Sequence, residues 1–120
     1  MASRSSPSVL PSVLPSAPVD LVAVPIGGCQ VILAWTESGA GADGLGFRIE
    51  RADCHSPCTR FVEIGKVGPH VAAFRDGSVD PCTTYRYRVH AWNASGDSSP
   101  SNVVEVTTPQ VDTELPAETD

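Results

Sequence analysis

The sequence predicts an all-β fold, a seven-stranded sandwich. Two observations carry this. Seven short segments alternate apolar and polar residues with period two, and turn-rich stretches separate them. No segment shows a capped apolar stripe of period 3.6, so no helix is expected. Short strands at this spacing bury their apolar faces by packing as two antiparallel sheets. The composition agrees. A chain of 120 residues is one domain's worth, and its 11 Pro and 10 Gly supply turns. Aromatics are only 6%, so the core must come mostly from Val, Leu, Ile and Ala.

The first strand, 19–24, ends at Pro25 and Gly27-Gly28. The second, 29–35, places Cys29, Val31, Leu33 and Trp35 on one face. A Gly-rich loop, 36–44, leads to the third strand, 45–51, with Phe47 and Ile49 inward. A loop holding Cys54 and Cys58 precedes the fourth, 60–65, and the fifth, 71–75, is short. The sixth, 84–92, alternates best: Tyr85, Tyr87, Val89 and Ala91 face in, while Arg86, Arg88 and His90 face out. After a turn at 93–97, residues 103–107 close the series. Trp35 and Tyr85 are the expected structural core. Residues 1–16 form a Pro/Ser-rich arm in which Pro11-Ser-Val-Leu-Pro15 echoes Pro7-Ser-Val-Leu-Pro11, a spacing that favours an extended chain. Residues 110–120 are acidic and aperiodic, a disordered tail, which leaves 17–109 as the folded domain.

The formal net charge is −6, and four of the carboxylates lie in the tail. This argues against a nucleic-acid backbone or an anionic membrane as the main partner. No apolar run approaches the ~20 residues that membrane insertion by a helix needs. The arm has no continuous apolar stretch, so no signal peptide is visible. Catalytic constellations are also missing. Gly96-Asp97-Ser98 continues into Ser99-Pro100 and reads as a turn. His55, His70 and His90 fall on two loops and one outer strand face. Asp76-Gly77 lacks the alternating ligands of a calcium loop. Neither an enzyme nor a cofactor or metal is expected.

Several residues recur in an order that resembles the fibronectin type III domain. They are Pro18-x-x-Leu21, Val31-x-Leu33-x-Trp35, Phe47-x-Ile49-Glu50-Arg51, Phe61-x-x-Ile64, Asp80-Pro81-x-Thr83-x-Tyr85-x-Tyr87-x-Val89-x-Ala91-x-Asn93-x-x-Gly96 and Ser98-x-x-Ser101-Asn102. The resemblance spans about 17–109. It implies sheets A-B-E and C′-C-F-G, a Trp35 that fills the core, and a corner at Tyr85 whose hydroxyl bonds back to backbone. The Cys54–Cys58 loop looks like that of bacterial members, where a local Cys pair precedes an Arg/Asn-Phe strand. The fold serves many roles, so it implies no single function.

Four cysteines allow three pairings. Within the implied topology, strands B and F run the same way, which puts Cys29, Cys82 and the C–C′ loop at one end. The preferred set is Cys54–Cys58 as a local staple and Cys29–Cys82 as an inter-sheet bridge. Cys54–Cys82 is the alternative pairing, and zinc held by Cys54, Cys58, Cys82 and Cys29 is the alternative chemistry. Disulfides imply an oxidising destination: extracellular, cell surface or virion.

Two surfaces are candidates for interaction. Arg48, Arg86 and Arg88 form a guanidinium-rich sheet face with Trp92 at its rim, residue types that often anchor interfaces. The competing reading of that face is cross-strand Arg–Glu pairing. The arm offers Val9, Leu10, Val13 and Leu14 as apolar anchors, and no comparable apolar patch is evident on the mixed-charge domain. The expected function is a non-catalytic interaction or structural module, such as an assembly or decoration subunit on a virion, filament or cell surface. Its partners would be capsid or filament subunits or copies of itself. The alternative is a spacer or binding module from a secreted multidomain enzyme or adhesin.

Overall fold

In the computed structural model the described residues are 14–38, 44–54 and 58–110. They form eight strands: β1 Val19–Ile26, β2 Gln30–Thr36, β3 Gly46–Asp53, β4 Val62–Val67, β5 Ala73–Asp76, β6 Thr84–Asn93, β7 Gly96–Asp97 and β8 Val104–Thr107. One sheet runs β1-β2-β5; in the other, β4-β3-β6, with β7 and β8 both on the free side of β6. These are the expected A-B-E and C′-C-F-G sheets, and every pairing is antiparallel.

The eighth element arises because the last strand is split. Between β7 and β8 the ladder to β6 passes to two buried serines. Ser98 Oγ accepts from the Ala91 amide at 2.9 Å, and Ser101 Oγ accepts from the Val89 amide at 3.0 Å. Asn102 then ties this crossing to the other sheet. Its side chain accepts from the Leu21 amide at 2.9 Å and donates to the Leu21 carbonyl at 3.0 Å. A buried backbone group without a partner costs as much as a lost hydrogen bond, so these side chains keep the break inexpensive.

The core lies between the sheets and follows the period-two pattern. Val31, Leu33 and Trp35 from β2 meet Phe47 and Ile49 from β3 and Tyr85, Tyr87, Val89 and Ala91 from β6. The Trp35 and Phe47 rings pack edge to face, 5.5 Å between centroids. The Tyr85 hydroxyl accepts from the Asp80 amide at 2.8 Å, which pins the turn leading into β6. Leu14–Ser16, the described part of the expected arm, lie on the domain. Pro15 is buried, and Leu14 reaches to the Cα side of Gly96 at the pole where β1 starts. Val9, Leu10, Val13 and the tail 111–120 lie outside the described residues.

Candidate interaction surfaces

The outer face of the β4-β3-β6 sheet collects the charged residues of alternate positions. Register pairs Arg48 with His90 and with Lys66, and Glu50 with Arg88. Each cation there is already engaged. Arg48 bridges Glu63 at 2.7 Å and Asp97 at 2.9 Å. Arg88 holds Glu50 at 2.6 Å and stacks on the Phe61 ring, 4.1 Å from its centroid. Arg86 pairs with Glu105 at 3.0 Å. Both ring nitrogens of His90 face acceptors, Glu50 Oε1 at 3.0 Å and the Ser98 carbonyl at 2.9 Å. Burial alone would push the Glu50 carboxyl up, yet the bonds from Arg88 and His90 hold it below the usual carboxylate range. The Trp92 ring meets two cations, Arg48 at 5.7 Å and Lys66 at 5.4 Å from its centroid. The structure thus brings Arg48, Arg86, Arg88 and Trp92 onto one face, but in the cross-strand paired state. A docking partner would have to break these pairs before making its own.

A second polar cluster was not anticipated. Asp76, at the end of β5, is 3% exposed and joins the two sheets. Its Oδ2 accepts from the Tyr87 hydroxyl at 2.7 Å and from Arg51 Nη1 at 2.9 Å; its Oδ1 accepts from Ser78 Oγ at 2.7 Å and from the Ser78 amide at 3.0 Å. Arg51 also bonds Asp53 at 2.9 Å and lies over the Tyr85 ring, 4.9 Å from its centroid. In sequence Asp76-Gly77 is a turn dipeptide, and nothing local marks the carboxylate as buried. Here it is a structural clamp, with both oxygens taken up by partners within the domain.

Cys54 and Cys58 form the expected local disulfide. The expected Cys29–Cys82 bridge is a correction: both thiols are free and exposed. Cys29 does not continue the inward face of β2. It sits in the turn of the β1–β2 hairpin, where the alternation has ended. Cys82 sits in the turn before β6, and its amide donates to the Pro109 carbonyl, just past β8, at 3.2 Å. The two residues cap different sheets. Among the described residues no group of three His, Cys, Asp or Glu is arranged to hold a metal ion.

The opposite outer face, that of β1-β2-β5, corrects another expectation, because it is apolar. Register aligns Val22 with Ala34 and Ala73, Val24 with Ile32 and Arg75, and Ile26 with Gln30. Val22, Val24 and Ile26 are each at least half exposed, at 53%, 50% and 50%. The signal was legible: β1 reads Val-Asp-Leu-Val-Ala-Val-Pro-Ile, apolar at both phases beyond Asp20.

Two sheets in this order, a split last strand and a tyrosine hydroxyl bonded to the turn before its own strand settle the fold. The chain has the fibronectin type III fold. Solved structures agree. The fibronectin type III domain of human fibronectin type III domain containing protein 3 is 23% identical, covers 92% of this chain and 100% of its own, and superposes with a TM-score of 0.71. Titin domains are similar at 23% identity and TM-score 0.70, and the chicken CNTN1 FN1-FN3 domains at 18% and 0.71; each covers 81% of this chain. This chain spans about a third of the length of those two structures (33% in both cases). No family model matches the sequence, and no curated protein does.

Proposed function

We propose that this domain of fibronectin type III fold is a non-catalytic protein-interaction module, a small assembly or decoration subunit of a virion, filament or cell surface. Its N-terminal arm is the anchor. The carrying observation is the seat of the arm's root. Pro15 is buried and Leu14 rests against Gly96, which gives the arm a fixed point of departure at one pole. Extended at ~3.1 Å per residue, a segment the length of 1–13 reaches ~40 Å, enough to cross a neighbouring domain of this size. Val9-Leu10 and Val13 then supply apolar anchors, and the prolines reduce the entropy lost on docking. The self-paired charged face is a poorer anchor. The Cys54–Cys58 disulfide supports an oxidising location.

A variant lacking residues 1–13 tests this. The expected result is an unchanged melting temperature and loss of incorporation into the parent assembly, read by electron microscopy of the native source. Incorporation equal to that of the full chain overturns it. A second reading, a spacer or binding module within a longer secreted chain, is favoured by one observation. The titin and CNTN1 structures hold comparable domains as one part of a longer chain.

A further inference from the structure

We propose that Cys82 and the Cys54–Cys58 disulfide form an intramolecular thiol–disulfide exchange site, at the pole opposite the root of the arm. The inference goes beyond the reading of the chain as an interaction module and does not depend on it, because every reacting atom belongs to one domain. The disulfide is closed, while Cys82 is a free, exposed thiol. Both stand at the same end of the same sheet. The β3–β6 pairing runs to Asp53 and Tyr85, and one step further the Cys54 amide donates to the Thr84 carbonyl at 3.0 Å. Cys82 comes two residues before Thr84. On the spacing of an antiparallel ladder, a residue and the second neighbour of its partner lie ~7–8 Å apart, Cα to Cα. A disulfide spans up to ~7 Å, so a shift of about 1 Å brings the pair within range.

The turn before β6 holds the thiol at this end. Cys82 takes φ 53, in the left-handed region, which a residue with a side chain keeps only where its surroundings impose it. Here they do. The Cys82 amide donates to the Pro109 carbonyl at 3.2 Å, and the Thr83 amide donates to Thr108 Oγ1 at 3.0 Å. The turn is thereby tied to the chain just past β8. Cys29, the other free thiol, lies in the hairpin of the β1-β2-β5 sheet.

In the step itself, Cys82 gives its proton to water and attacks Cys54 Sγ as a thiolate. The Cys54–Cys82 bond forms as the Cys54–Cys58 bond breaks, and Cys58 leaves as a thiolate that takes up a proton. One disulfide and one thiol stand on each side of the step, so no oxidant or reductant is consumed. The product is the alternative pairing that the sequence allows. It ties the end of β3 to the turn before β6 and encloses a longer segment than the local staple, which restrains the unfolded chain more. The exchange moves the free thiol from that turn to the loop after β3.

Trypsin separates the two states, because it places Cys54 and Cys58 in peptide 52–60 and Cys82 in peptide 76–86. The full chain is held at about pH 8.5 without added thiol and with oxygen removed, then quenched with acid and alkylated before digestion. The expected product is 52–60 joined to 76–86, with the alkyl group on Cys58, in a fraction unchanged by an about tenfold dilution. Cys29→Ser leaves that fraction unchanged. Cys82→Ser keeps Cys58 closed against alkylation; Cys82→Asn, which tolerates the left-handed region, replaces it if the serine variant loses its native circular dichroism. Alkylation before the incubation caps Cys82 and prevents the exchange. A map holding only 52–60 closed on itself and 76–86 alkylated overturns the proposal. So does a joined fraction that falls on dilution, the mark of exchange between chains, or one that is lost in Cys29→Ser.

Discussion

Replacing Asp76 by Asn removes one charge and turns one acceptor oxygen into a donor, at a site with no slack. Four donors converge on the carboxylate, two on each oxygen. The Tyr87 and Ser78 hydroxyls can rotate to become acceptors. Arg51 Nη1, on Oδ2, and the Ser78 amide, on Oδ1, cannot. Whichever way the replacement side-chain amide is turned, its NH2 group meets one donor that has no lone pair to offer. Breaking a fully buried ion pair costs ~3–5 kcal/mol. Arg51 retains Asp53 and its side chain is 14% exposed, which moves the expected loss to about 2–3 kcal/mol. For a domain of this size that lowers the melting temperature by roughly 8–20 °C. Urea unfolding at pH 7 measures it.

The pH dependence supplies an internal control. Burial pushes the Asp76 carboxyl up, but the bonds from Ser78, Tyr87 and Arg51 outweigh burial and hold it below the usual range. A depressed folded-state value means stability that is complete above the unfolded value of ~3.9 and is lost as pH falls through the folded one. The deficit of Asp76→Asn should therefore be full at pH 7 and shrink in acid as the native protein loses the same charge. Burial, and next the Asp76 carboxylate, push the Tyr87 hydroxyl far up, so its contribution holds below about pH 10 and fades above it. A variant within about 0.5 kcal/mol of the native protein at pH 7, or a deficit that persists undiminished near pH 2, would refute the clamp.

Tyr85→Phe strips the acceptor from the Asp80 amide and should cost ~1–2 kcal/mol in urea unfolding, with the fold retained. Native alkylation should modify Cys29 and Cys82, while Cys54 and Cys58 react only after reduction and are recovered linked in a non-reducing peptide map. Protection of Cys29 and Cys82 from alkylation would contradict their free, exposed state.

The sequence alone determined the strands and the core because both obey a local rule. Tyr85, Tyr87, Val89 and Ala91 must share a face once residues 84–93 are extended, whatever packs against them. The charged face was legible for the same reason, since Arg86, Arg88 and His90 take the other phase. The outcome on that face depended on register. Only the β3–β6 alignment sets Glu50 against Arg88 and so turns a row of apparent anchors into satisfied pairs. Tertiary structure also decided Asp76, whose partners come from β3, β6 and its own turn, and Cys29, where the hairpin closes before the alternation could have carried it inward. Side-chain phase is a property of neighbouring residues along one strand. Which side chains meet across strands and sheets is set by register and packing, and no single strand carries that information.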